Sequence, residues 1–103
     1  MPATSNIEFL SALESIIVSR LESPVEGSYT SSLIESGPKR MAQKVGEEAV
    51  ELAIAAVAGN RSDMISESAD LIYHLLVLLN SKSICLADVA AVLESRHTKQ
   101  TQL

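Results

Sequence analysis

Two carboxylate pairs constrain this chain more than any other feature. Glu48 and Glu51, with Glu47 beside them, form the first, and Glu67 and Asp70 form the second. Each pair has i, i+3 spacing inside a stretch whose apolar residues recur at helical intervals. Residues three apart on an α-helix are surface neighbours. If the two stretches are helices packed on each other, four acids converge. Like charges that close destabilise a helix, and burying them costs far more. A divalent cation removes both penalties, and an all-oxygen ligand set favours Mg²⁺, with Mn²⁺ as the alternative. The pattern predicts metal-dependent chemistry on a phosphate compound.

Helical periodicity marks four main segments, so the expected fold is all-α. The first spans about Ile7 to Leu21, with Phe9, Leu10, Leu13, Ile16, Ile17 and Leu21 at helical spacing, and Ser5 and Glu8 spaced as a capping box. A Ser-, Gly- and Pro-rich segment from Glu22 to Gly37 reads as a loop with a short helical turn at Leu33 and Ile34. The second helix should start at Pro38, where a missing N–H costs nothing, and end at Ala58. Its stripe is Met41, Val45, Ala49, Leu52 and Ala56, with Lys44, Glu47, Glu48 and Glu51 in a sector of roughly 100° beside it. Gly59 suits the C′ position after it.

Asn60 or Ser62 can cap the third helix, which runs to about Asn80. Ile65, Ala69, Ile72, Leu76 and Leu79 form one stripe, and Glu67, Asp70 and His74 lie opposite within roughly 60°. Leu71, Leu75 and Leu78 carry apolar character round to that side as well. A helix apolar nearly all round is buried on more than one face. In a chain of 103 residues the second cover should come from another subunit. The last helix should run from Leu86 to Arg96, with Val89, Val92 and Leu93 inward, before a frayed tail from Thr98.

Composition removes several function classes. The chain is 47% apolar, which argues against disorder, but only 3% aromatic, so stacking platforms for single-stranded nucleic acid are missing. The net charge is −5 with no basic stripe, against duplex DNA binding. Leu71 to Leu79 is too short for a membrane span. One cysteine, Cys85, permits no intrachain disulfide and fits a reducing cytosol. The N-terminus has no signal-peptide pattern. One Cys and two His fit zinc poorly. Glu94 and His97 supply one Glu-x-x-His motif where a di-iron bundle needs two.

The residues then resemble a known family. Lys44-Val-Gly-Glu47-Glu48-Ala-Val-Glu51, followed by Glu67-Ser-Ala-Asp70-Leu-Ile-Tyr73-His74, is similar to the phosphoribosyl-ATP pyrophosphohydrolases of histidine biosynthesis. Arg20, Pro24 and Gly27-Ser28-Tyr29-Thr30 resemble that family's upstream loop. The acids alone indicate the wider all-α nucleotide pyrophosphatases, the MazG-like proteins and dimeric dUTPases; the loop narrows the match.

The resemblance implies Mg²⁺-dependent hydrolysis of phosphoribosyl-ATP to phosphoribosyl-AMP and pyrophosphate in the cytoplasm. It also implies a helical bundle completed by a second subunit, here in a single stand-alone domain. Glu48, Glu51, Glu67 and Asp70 are the expected metal ligands. Glu47, Glu48 and Glu51 are the expected catalytic carboxylates. Lys39, Arg40, Lys44 and Arg20, with the hydroxyls of Ser28, Tyr29 and Thr30, are the expected substrate contacts. His74 reads either as a satisfied core or interface histidine, the favoured option, or as an auxiliary group near the metal. The competing functions are a house-cleaning nucleoside triphosphate pyrophosphatase and a non-enzymatic helical dimerisation module.

Overall fold

The structure, a computed structural model, describes residues 6–99. Among the described residues five helices follow one another: α1 (Phe9–Glu22), α2 (Tyr29–Glu35), α3 (Pro38–Ala58), α4 (Arg61–Ser81) and α5 (Leu86–Thr98). Ser5, half of the expected N-terminal capping box, lies outside the described residues, as do residues 100–103 of the tail. The all-α expectation holds with one helix more than the four expected. The segment read as a loop becomes helical at Tyr29, because Ser28 takes an extended backbone and its hydroxyl accepts the Ser31 N–H. This is ordinary N-capping, hidden by the density of turn residues around it.

Helices α3 and α4 form the central hairpin. Pro38 occupies the first turn of α3, and Gly37 before it has φ 96°, a left-handed conformation that suits glycine. Gly59 is the C-cap, but its backbone is extended (φ −100°) rather than left-handed. Its glycine requirement is steric: a Cβ there would lie 2.9 Å from the Ala55 carbonyl oxygen and 2.9 Å from Asp63 Oδ2. Asn60 then caps α4 through a reciprocal pair with Asp63. The loop between the two long helices is only Gly59 and Asn60, so α4 turns straight back along α3.

The core is small. Ile17, Leu33, Met41, Leu76 and Val77 are buried together, flanked by Leu13, Leu21, Ile34, Tyr73, Leu78 and Leu86. Three expected stripes need correction. On α3 the inward row is Met41, Val45, Glu48, Leu52 and Ala55; Ala49 and Ala56 face outward. Glu48 is therefore inside the buried row rather than beside it. On α4, Leu76 is buried but Ile65, Ala69 and Ile72 are exposed. On α5, Val92 and Leu93 are exposed rather than inward, because α5 swings away from α4 at 104°.

That bend has a local cause. Ile84 N–H bonds the Leu79 carbonyl and Ser83 N–H the Asn80 carbonyl, the bond pair of a Schellman stop. Ser83 takes φ 61° in the position glycine usually fills. Asp88 accepts the Cys85 N–H at 3.0 Å and opens α5. Glu14 of α1 pins this corner, its Oε2 accepting from Asn80 Nδ2 at 2.9 Å and from Leu86 N–H at 2.7 Å. Among the described residues no single helix is long and apolar enough to cross a membrane.

Candidate functional site

The acids meet across the α3–α4 hairpin. Glu48, Glu67 and Asp70 each offer a carboxylate oxygen, and these atoms all lie within 4.8 Å of one another. Glu48 is buried, Glu67 half-buried and Asp70 exposed. The cluster thus has a fixed floor and an open rim. Glu51 lies one turn beyond Glu48, exposed to solvent and outside this three-oxygen set. It still feels the cluster. The negative charge of Glu67 raises its carboxyl above the usual 4.5, with lesser contributions from lost solvent and from Glu48, and Lys44 opposing. Repulsion of this kind is what a bound cation relieves.

Glu47 turns to the other side of Lys44. Lys44 Nζ stands 3.8 Å from Glu47 and 3.7 Å from Glu48, and Gln43 Nε2 donates to Glu47 at 2.9 Å. Glu47 is therefore a neighbour of the cluster and no part of its converging oxygens. A plain helical module would leave the acids pointing apart; here two helices bring three of them together.

Beneath Glu48 sits His74, only 6% exposed. Its Nδ1 lies 2.9 Å from Glu48 Oε1 and 2.8 Å from the Asp70 carbonyl oxygen. Its Nε2 lies 3.0 Å from Tyr29 Oη. Next to Tyr29 on α2, Thr30 Oγ1 and Tyr73 Oη share a hydrogen bond. Both tyrosines of the chain thus pack around His74, with ring centroids 5.9 Å (Tyr29) and 5.0 Å (Tyr73) from its ring.

With that geometry in place, the comparisons with known proteins are direct. A model of the phosphoribosyl-ATP pyrophosphohydrolase family matches residues 10–97. The chain belongs to this family. Similar proteins include the histidine biosynthesis bifunctional protein HisIE of Photobacterium profundum, 50% identical over 91 residues that make up 88% of this chain and 44% of that protein. HisIE of Bacteroides thetaiotaomicron is 51% identical over 92 residues, 89% of this chain and 45% of that protein. HisIE of Vibrio cholerae is 48% identical over 93 residues, 90% of this chain and 44% of that protein. The chain spans a little under half the length of these relatives.

The expected substrate residues are not gathered at one point. Lys44 reaches the acid cluster. Lys39 and Arg40 open α3, exposed and without an ion pair among the described residues. Arg20 of α1 donates to its neighbour Ser19 at 3.2 Å. Ser28 is occupied in capping α2, Tyr29 by His74 and Thr30 by Tyr73.

Sequence reading missed the roles of Tyr73 and Glu14 and favoured the packing role for His74. For Glu14 there was no signal, because its partners lie 66 and 72 residues away. For the aromatic cluster there was one. In a chain with two tyrosines, Tyr29 and Tyr73 each fall within a family motif.

Proposed function

We propose that this chain hydrolyses phosphoribosyl-ATP to phosphoribosyl-AMP and pyrophosphate, the second step of histidine biosynthesis, as a Mg²⁺-dependent homodimer. The observation that carries the reading is the convergence of Glu48, Glu67 and Asp70 in a chain of this family. Three carboxylate oxygens within 4.8 Å, one of them buried, fit a small hard cation. Glu51 completes the ligand set from the rim.

Bound there, Mg²⁺ supplies positive charge against the phosphate oxygens and the departing pyrophosphate. The chain's own groups do the rest. Glu48 forms the buried floor of the site. Glu47, bridged to Glu48 by Lys44 yet outside the converging oxygens, takes the proton of the attacking water. Lys44 offers its ammonium to the substrate's phosphates, and Lys39 and Arg40 extend that positive charge along the start of α3. Holding the water and the anhydride in line carries most of the rate.

Two quantities support the second subunit. The radius of gyration is 15.2 Å where a compact chain of this length has about 13 Å. The accessible surface is 7236 Å², against about 5,600 Å² for a folded monomer of this size. A groove of about 940 Å³ between α1 and α4, lined by Ile7, Phe9, Leu10, Met64, Ile65 and Ile72 among others, is the surface a second copy covers.

The deciding assay compares Mg²⁺-dependent pyrophosphate release from phosphoribosyl-ATP and from the common nucleoside triphosphates. Preference for phosphoribosyl-ATP is expected. Preference for ordinary triphosphates would replace this reading with the house-cleaning one.

A further inference from the structure

His74 is the buried titratable group that the proposed reaction leaves unused, and its contacts form a directed chain. Both partners of Nδ1, the Glu48 carboxylate and the Asp70 carbonyl, are acceptors. Nδ1 therefore carries hydrogen and donates. In the neutral ring Nε2 is then an acceptor, and Tyr29 Oη donates to it at 3.0 Å. The line Tyr29 to His74 to Glu48 runs from α2 through α4 to the floor of the acid cluster on α3. Thr30 and Tyr73 clasp α2 and α4 alongside it. Carboxylates that hold metals are themselves oriented by such outer hydrogen bonds.

We infer that His74 is a positioning residue: its Nδ1–H aims the Glu48 carboxylate into the cation site, and the Tyr29 hydroxyl sets the tautomer that allows it. This rests on the metal-site reading given above. It makes α2 part of the metal centre without a ligand of its own.

The test is Mn²⁺ binding to the metal-free chain, followed by electron paramagnetic resonance, in the unmodified protein and in Glu48→Gln, His74→Phe, His74→Asn and Tyr29→Phe. Glu48→Gln should abolish tight binding. His74→Phe should weaken it roughly 10- to 100-fold. His74→Asn should recover most of that loss, because its amide can donate from near the Nδ1 position. Tyr29→Phe, which removes one oxygen from a half-exposed ring, should weaken binding a few-fold with its fold unchanged by circular dichroism. It keeps the test decisive if His74→Phe fails to fold.

In turnover, the His74 and Tyr29 variants should raise the Mg²⁺ concentration for half activity more than they alter KM for substrate. If Glu48→Gln loses Mn²⁺ while the Tyr29 and His74 variants bind like the unmodified chain, the positioning role is overturned and the metal reading stands. The positioning role is equally overturned if His74→Asn binds as weakly as His74→Phe. If the unmodified chain binds no Mn²⁺, or Glu48→Gln binds it normally, the metal reading fails and takes this inference with it.

Discussion

One apolar stripe runs along α4, and its two ends meet opposite fates. In the C-terminal half Leu76 and Val77 are buried against Ile17, Leu33 and Met41. Along the stretch from Met64 to Ile72, by contrast, Met64, Ile65 and Ile72 remain 39–54% exposed. Glu67 and Asp70 lie within this exposed stretch, where the chain's own cover runs out. The contrast teaches that periodicity reports which face of a helix wants burial. It does not report whether that burial is supplied within the chain or by a second copy.

The largest expected effect falls on the acids facing that stretch from α3. Glu51→Gln should lower kcat/KM for phosphoribosyl-ATP by about 10²–10³-fold, roughly 3–4 kcal/mol, the scale of losing one charge-stabilising group in a hydrolytic site. Retention of activity in a pyrophosphate-release assay would remove Glu51 from the ligand set. In the buried half, Leu76→Ala should cost about 3 kcal/mol of folding stability, read as a lower urea midpoint, because it leaves a cavity in a core with few other members.

In the exposed stretch, Ile72→Asp should do something different. Folding of the single chain should change little, while dimer association should weaken by roughly 100-fold, about 3 kcal/mol. Sedimentation equilibrium would report it. If instead Ile72→Asp unfolds the chain and Leu76→Ala dissociates it, the assignment of the two halves is reversed.

A smaller effect comes from pH. Because Glu67 raises the Glu51 carboxyl above 4.5, the folded chain holds that proton more tightly than the unfolded one. Below 4.5 both states are protonated and the folded state keeps its full stability from this group. As pH rises through the raised value the folded state loses stability, and the penalty is complete above it. Thermal melts without divalent cation should show this decline. Glu51→Gln should flatten it, and excess Mg²⁺ should reverse it in the unmodified protein. The smallest effect is at the α4–α5 bend. Ser83→Gly relieves a left-handed serine and should stabilise by about 1 kcal/mol, raising Tm by a few degrees.

Much of this architecture was legible in the sequence. The ends of α3 follow from Pro38 and from Gly59 and fall where the sequence reading puts them. The start of α4 follows from Asn60, one of the two caps the sequence offered, with Asp63 added by the structure. These signals act over three or four residues, so the local sequence contains all the partners involved. The N-terminus of α2 was local too, but Ser28 sits among so many turn residues that a capping serine looked like one more loop position. The acid motifs were equally readable as chemistry, since like charges at i, i+3 beside apolar residues demand an explanation within a single helix.

From sequence alone came the helical class, the two acid motifs and, through the resemblance carried by Gly27 to Thr30, the family. The tertiary structure decided which acids actually share a point. It placed Glu48, Glu67 and Asp70 together, left Glu51 at the rim and turned Glu47 toward Gln43. It also brought His74 Nδ1 to 2.9 Å from Glu48 and let Glu14 pin a corner 66 residues away. The physical reason is the reach of the interactions. Caps and periodicity are set by neighbours along the chain, whereas convergence across a hairpin depends on how two helices rotate as they pack. A rotation of one residue, about 100°, would send the same carboxylates to separate regions of solvent.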